Sequence, residues 1–497
     1  MVQDRLDGQA FTIDSDVPWL GHIPGKIEEI FVGRLLDNGV YNEVHNKYKR
    51  RLLRKDKLVE TKHVGVWGWN SWCGVHTFPI LTSGTLHDIY KATVDVGFSN
   101  TEEGTGLLPH AVLHENGFAS TPTFKCYGGA HGEAYNLDNI MCWAKMAMEY
   151  YLASGDTRWF EAKFGTIKAT IDYILDNLRD KYNPKLIYTG VEGDWTECTD
   201  WEMDNANVNV NMVRTLELFT ESAKLLGKHD VTNDYLSVRD ELITHVNKPV
   251  EEGGFWSEDL GYYIHGNNGD GTIVHGDRYF ESTANYFALL WSIVPEDRLA
   301  VLWQSIDARH EPLEMPYPVL TNLHPRTGAR RKNYGATVTN GDVWMVLGAH
   351  AAATRLQGGY RKIGTAMFKA IVKYEMREGV LHNCIYPKTG GVNKSWDPEI
   401  ANYGALFAPI TLGILGINYH SEGLEFNLVP LEGMQRLKVT LYFTGKTIKL
   451  DVKWDSTGQL QAGSNMVVGE GAGKEKVLSI HQGEFILSRT ELSLQSK

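Results

Sequence analysis

A chain of 497 residues has room for a large core and more than one domain, and its 42% hydrophobic and 22% charged residues are those of an ordinary globular protein. The formal net charge of −12 excludes a phosphate-backbone partner such as nucleic acid and fits a small or neutral ligand. The 5 cysteines (Cys73, Cys126, Cys142, Cys198 and Cys384) include no CxxC pair, which excludes a disulfide framework and a thiolate zinc site.

The first residues, MVQDRLDGQAFTIDSD, lack the basic and apolar regions of a signal peptide, and no run of about 18 apolar residues occurs. The expectation is a cytoplasmic protein with no membrane contact. Residues 1–60 read as an N-terminal extension. Within them EVHNKYKRRLLRKDKLVE (43–60) is charge-rich and reads as a solvated helix or connector.

Residues 61–419 carry helical periodicity in segment after segment. The spacing predicts helices over 137–153, 162–178, 208–226, 233–247, 283–293, 298–306, 343–356, 362–377 and 403–417. Several are apolar on more than one face and must pack between neighbours. Turns such as SGDTR and LGKHD are short, whereas 117–136, 183–205, 253–282, 308–342 and 381–402 are long and rich in Trp, Tyr, Gly and acids. Short turns on one side and long loops on the other suit a ring of helical hairpins with a cleft on one face. Beyond residue 420 the period switches to two, as in QRLKVTLYFTG and KTIKLDVKWDSTG, so 420–497 predicts a small antiparallel β-domain. The fold class is mainly α.

Five segments carry chemistry. WGWNSWCGVHTFP (67–79) holds Trp67, Trp69 and Trp72 around Asn70; it reads as core or as a wall that stacks on sugar rings. PTFKCYGGAHGEAYNLDN (122–139) places Tyr127 and His131 in a Gly-rich loop; Glu133 follows, but no third ligand for a metal is visible. The densest acidic run, YTGVEGDWTECTDWEMDNANVNVN (188–211), carries Glu192, Asp194, Glu197, Asp200, Glu202 and Asp204 with Trp195 and Trp201 between them. Asp204 fits helix-dipole compensation. The upstream acids beside indole rings fit a general acid, because partial desolvation raises a carboxyl pKa. HGDRYFESTANYFALL (275–290) offers Asp277, for a cap with an ion pair or for substrate contact. In 381–409, Trp396 and Glu399 precede an apolar helix; Glu399 compensates a dipole or activates water.

Five local patterns give a resemblance. GWNSWCGVHTFP is similar to a "W-x-W-D-S-x-x-H" opening, and GLLPHAV (106–112) to a "G-x-x-P" loop. YYLASGDTRWF (150–160) is similar to a "Y-x-x-T-G-D" helix end, VEGDWTE to the segment holding a general acid, and NGDVWMVLGAHAAA (340–353) to a "G-x-V-W" helix start. Together they resemble the (α/α)6-barrel glycoside hydrolase clan, which includes processing α-glucosidases and mannosylglycerate hydrolases, trehalases, glucoamylases and α-L-rhamnosidases. The resemblance implies an (α/α)6 toroid with a C-terminal β-sandwich-like domain. It implies a cofactor-free, inverting glycosidase acting on a short oligosaccharide or glycoside. It puts the general acid at Asp194, with Glu192 and Glu197 as neighbours in register, and lines the cleft with Trp67, Trp69, Trp72 and Trp344.

Two positions depart from the pattern. Asn70 stands where an Asp often holds a sugar hydroxyl. Asn383 stands four residues before Pro387-Lys388-Thr389-Gly390, where several families place the catalytic base. The base then falls to Glu399, Asp397 or Glu281. Three alternatives stay open: a lyase using Tyr127 or His131, a sugar phosphorylase, and a non-catalytic carbohydrate-binding protein. No oligomeric state follows from the residues.

Overall fold

The computed structural model describes residues 11–26, 51–54, 57–60, 65–67, 72–74, 76–115, 119–123, 135–180, 183–190, 203–267, 280, 282–310, 343–379, 381, 384–385, 401–469, 475–489 and 492. Its helices are α1 (Phe78–Leu81), α2 (Thr85–Phe98), α3 (Leu137–Ser154), α4 (Thr157–Asn177), α5 (Ala206–Leu225) and α6 (Thr232–Val246). They continue with α7 (Ser282–Leu290), α8 (Glu296–His310), α9 (Met345–Gln357), α10 (Arg361–Glu378) and α11 (Ala401–Ala408), which runs on as a π-turn over Pro409–Ile414. Each helix predicted from periodicity is present. Helices α1 and α2 add to them.

Odd-numbered helices pack side by side in chain order, α1 on α3, α3 on α5, α5 on α7, α7 on α9 and α9 on α11. The ring closes where α11 meets the start of α1: Phe78 and Phe407 pack edge to face at 5.4 Å, and a Cβ on Gly404 would lie 1.9 Å from the Cys73 carbonyl oxygen. Even-numbered helices lie outside them. The division follows from the residues. Helix α3 is buried from Leu137 to Ala153, as an all-round apolar helix must be. Helix α4 buries one face, with Phe160, Phe164, Ile167, Ile171 and Ile174 beside Lys163 and Thr170, and each of the apolar side chains is worth on the order of 1.5–3 kcal/mol. Gly155 ends α3 in the left-handed conformation (φ 73°), and Asp156 then caps α4 by accepting from Trp159 N at 3.3 Å.

Beyond the toroid stands a small β-domain. Strands β1 (Thr12–Ser15), β16 (Arg436–Phe443), β17 (Lys446–Lys453), β18 (Asn465–Gly469) and β19 (Glu475–Ser479) form one antiparallel sheet in that order. Strands β14 (Asn418–Tyr419), β15 (Gly423–Asn427) and β20 (Glu484–Ser488) form another. The period of two in β16 alternates buried Leu437, Val439, Leu441 and Phe443 with more exposed neighbours. The first strand comes from the N-terminal extension, with Thr12 paired to Thr440. The helix or connector expected over 43–60 is corrected in part. Strands β2 (Arg51–Arg54) and β3 (Lys57–Glu60) make an antiparallel hairpin there, in which cross-strand pairs set Leu52 opposite Val59, Leu53 opposite Leu58 and Arg51 opposite Glu60. Outside the domain are β4 (Gly65–Trp67), β5 (Ala111–Glu115), β6 (Ala119–Thr123), β7 (Tyr188–Gly190), β8 (Met203–Asn205), β9 (Trp256–Ser257), β10 (Tyr262–Tyr263), β11 (Gly266–Asn267), β12 (Val343–Trp344) and β13 (Cys384–Ile385).

The β-domain covers the C-terminal ends of inner helices. Thr444 N donates to Ala153 O at 2.8 Å, and Arg489 Nη2 donates to Leu152 O, so carbonyls left open at the end of α3 are satisfied from outside. The N-terminal ends of the inner helices therefore face the other way, toward the long connections. Among the described residues no helix is long and apolar enough to cross a membrane.

Candidate active site

Five of the six inner helices are entered from a chemistry-bearing connection. Trp69 and Asn70 lie between β4 and Trp72. Tyr127 and His131 lie between β6 and α3; Glu192, Asp194, Trp195 and Glu197 between β7 and β8; Asp277 between β11 and α7; and Trp396 and Glu399 between β13 and α11. All of these side chains lie outside the described residues, as do Asn383, Asp397 and Glu281. Trp67 is the last residue of β4, its backbone paired with Ala111.

The described strands anchor two of these connections. β7 pairs with β8, Tyr188 with Asp204 and Gly190 with Met203, so the acidic run leaves and re-enters between neighbouring strands. β8 pairs in turn with β11, and Ala206 N at the start of α5 donates to His265 O at 2.9 Å. The cap of α5 is Asn205, whose Oδ1 accepts from Val208 N at 3.2 Å; Asp204, read as compensating the helix dipole, is the residue before it. β12 pairs with β13, Trp344 opposite Cys384, which joins the entry of α9 to the connection that leads into α11.

Below these entries the barrel axis is polar. The carboxylate of Asp138, in the first turn of α3, accepts from Asn139 N at 2.7 Å and lies 3.4 Å from Asn207 Nδ2. Asn207 Oδ1 accepts from Asn211 Nδ2 at 2.9 Å, and Asn211 Oδ1 accepts from Lys145 Nζ at 2.6 Å. The Lys145 ammonium sits 3.8 Å from the ring centroid of Trp72, and Trp72 Nε1 donates to Glu149 Oε2 at 3.0 Å. The chain of contacts thus runs from the helix entries to the middle of the barrel. It comes from spacing alone: Asn207 and Asn211, and Lys145 and Glu149, stand four residues apart on inward faces of α5 and α3.

This interior shifts ionisation. Burial pushes the Glu149 carboxyl up to about 7, against the opposing pull of Arg214, Lys145 and the Trp72 N–H. Burial pushes the Cys142 thiol up to about 12 and lowers His350 to about 4. His76, stacked on Trp72 at 4.6 Å and 3.2 Å from His350 between Nε2 atoms, is also lowered, first by burial and then by His350 and Lys145. The histidines are therefore neutral, and one Nε2 donates to the other.

Two of the tryptophans expected along the cleft can be placed in full. Trp72 is 2% exposed and packed against His76 and Lys145; Trp344 is 3% exposed. Both lie within the barrel wall and its polar interior. The axis residues Lys145, Glu149, Asn207 and Asn211 went unrecognised in the sequence. The available signal was two charges inside an otherwise apolar helix, since buried Lys and Glu must be partnered. Among the described residues no three His, Cys, Asp or Glu side chains gather as metal ligands.

Comparison with known proteins bears on the fold. The model of the bacterial alpha-L-rhamnosidase 6 hairpin glycosidase domain matches residues 126–310. The chain is similar in structure to the mannosylglycerate hydrolase of Thermus thermophilus in complex with glucose (TM-score 0.52, 14% identity, 70% of this chain and 92% of that one). It is similar to the alpha-L-rhamnosidase of Dictyoglumus thermophilum (TM-score 0.58, 14% identity, 93% of this chain and 44% of that one). It is also similar to the alpha-L-rhamnosidase of Aspergillus terreus (TM-score 0.55, 12% identity, 96% of this chain and 50% of that one). The chain thus spans half or less of the length of these two rhamnosidases. No curated protein matches the chain in sequence. The fold is a six-hairpin toroid, similar to that of the (α/α)6 glycoside hydrolase clan.

Proposed function

We propose that the protein is a glycoside hydrolase acting on a short oligosaccharide or glycoside by an inverting acid/base mechanism. One observation carries the reading. In the ring α1–α3–α5–α7–α9–α11, the connection bearing Asp194 enters at the third position and the connection bearing Glu399 at the sixth. Third and sixth positions face each other across a six-membered ring. An inverting enzyme needs that arrangement: a protonated carboxyl on one wall and a carboxylate on the other, about 6.5–9.5 Å apart, with water between base and sugar.

Asp194 is proposed to donate its proton to the leaving oxygen, and Glu399 to take one from the attacking water. The neighbouring Trp195 supports the first role, because an indole beside a carboxyl limits its solvation and raises its pKa. Glu192 and Glu197 are the alternatives within the same connection. Trp67, Trp69, Asn70, Tyr127, His131, Asp277 and Trp396 stand in connections that lead to the same ends of the inner helices and are proposed to contact the sugar.

The experiment is a panel of aryl glycosides and short oligosaccharides, with and without phosphate, on wild type and Asp194→Asn. Phosphate-independent release of free sugar, reduced at least about a hundredfold in the variant, is expected, since general acid catalysis contributes about 10²–10⁴. Full activity in Asp194→Asn ends the assignment. Release of a sugar phosphate, or of a product absorbing as an unsaturated sugar, replaces hydrolysis with phosphorolysis or elimination.

A further inference from the structure

At the end of the barrel opposite the acidic connections, the toroid and the β-domain line an open cavity of about 680 Å³. We propose that this cavity is a second ligand site, taking an uncharged polyhydroxylated molecule of one or two sugar rings. Its volume lies in the range of sites that hold small molecules, about 300–1,000 Å³.

One wall is aromatic. Trp291, half-buried just after α7, and the pair Trp303 and Tyr360, with ring centroids 4.8 Å apart, line it. The facing groups come from the β-domain and are already held in place. Asn418 Oδ1 accepts from Arg214 Nη1 at 3.1 Å, and its Nδ2 donates to Glu425 Oε2 at 3.2 Å. Asn427 Nδ2 donates to Gln357 Oε1 at 2.8 Å. Amides, a carboxylate and a guanidinium present donors and acceptors side by side, as a hydroxyl requires.

Charge selects the class. Arg214 is matched by Glu217 at 2.8 Å, and Glu425 faces His420 at 2.9 Å. Glu484 also lines the cavity. No excess positive charge is left for an anion. Aromatic side chains opposite amide groups then suit the apolar and hydroxylated sides of a sugar. The cavity uses none of the residues assigned above to acid/base chemistry, so the proposal does not depend on that assignment.

The test is calorimetric titration of the protein carrying Asp194→Asn, which on the reading above has no turnover, with maltose, cellobiose and trehalose. The second protein adds Ala300→Trp; Ala300 is exposed on α8 and lines the cavity, so the indole fills it without entering the core. At least one sugar is expected to bind, with affinity lowered tenfold or more by Ala300→Trp and by Glu425→Gln, in proteins whose melting temperatures are unchanged. Binding that neither substitution weakens, or no binding of any of the three, overturns the proposal. Failure of the glycosidase reading would appear separately, as no turnover of any glycoside by the wild type.

Discussion

Trp72 and Glu149 are joined inside the barrel: the indole N–H donates to the carboxyl at 3.0 Å, and both side chains are buried. The bond crosses from the segment before α1 to the middle of α3, so it ties two neighbouring positions of the inner ring. Trp72→Phe keeps most of the ring and removes the donor. A buried carboxyl losing a partner costs about 1–3 kcal/mol. Urea unfolding should show that loss, with Glu149 titrating above its present value of about 7, because the indole N–H helps hold its pKa down. Unchanged stability would mean the bond contributes nothing.

Glu149 also sets a pH dependence. Below about 4.5 its carboxyl is protonated in both folded and unfolded chains. As pH rises to about 7 the unfolded chain releases the proton and the folded chain keeps it, so stability falls by roughly 3 kcal/mol across the window and then levels. His350 acts in the opposite sense: lowered from 6.5 to about 4 by burial, it makes stability rise with pH over that interval. The two effects oppose each other in the wild type. In Glu149→Gln only the rising limb remains. The stability difference between variant and wild type should therefore shift steadily in the variant's favour from pH 4.5 to 7 and stay constant above it. A difference independent of pH would show that Glu149 ionises normally.

The same residues mark what the sequence disclosed. Apolar spacing was enough for α3 to α11, because a helix between neighbours must be apolar on several faces. Helix α1 was missed because it has only four residues, and α2 because TLHDIYKATVDVGF is dense in β-branched residues and carries Gly97 in its last turn, where a Cβ would come within 2.5 Å of the Trp143 ring. Thr12–Ser15 could not be assigned to the β-domain, since its partner, β16, lies more than four hundred residues away in the chain. The acidic and aromatic connections were visible as composition. The polar axis was not, because Lys145 and Glu149 meet Asn211 and Trp72 only once the ring has closed.

Ring closure itself is testable at Gly404. A Cβ there would lie 1.9 Å from the Cys73 carbonyl oxygen and 3.1 Å from Gly74 Cα, and both obstacles are backbone that cannot rotate away. Gly404→Ala should destabilise by about 1–3 kcal/mol or more, despite alanine's better helix propensity. Thermal unfolding measures this; a higher melting temperature would show that α11 and the Cys73 segment are less closely packed than described.

Ser292 gives the opposite expectation. It terminates α7 with φ 54°, its N–H donating to Leu289 O at 3.2 Å while Ile293 N donates to Ala288 O at 2.8 Å. That is the helix stop usually filled by glycine, and a serine held there is strained. Ser292→Gly should stabilise the protein by about 0.5–1 kcal/mol, because relief of strain outweighs the entropy gained by the unfolded chain. A destabilised variant would show that the serine hydroxyl contributes more than its backbone costs.

Lys145 joins these elements electrostatically. Its ammonium donates to Asn211 at 2.6 Å, lies over Trp72 at 3.8 Å and holds the Glu149 pKa down. Lys145→Met has nearly the same length and no charge. Three things are lost together: a donor to a buried amide, a cation over an indole, and a counter-charge for a buried carboxyl. The first two cost about 2 kcal/mol or more. The third moves the Glu149 titration upward, so at neutral pH more of the carboxyl is protonated. Isotope-edited infrared spectroscopy follows that carboxyl directly, and Arg214→Gln should move it further, because Arg214 is the stronger of the two opposing charges. If neither substitution shifts the carboxyl band, the axis is held by packing alone and its charges do not interact.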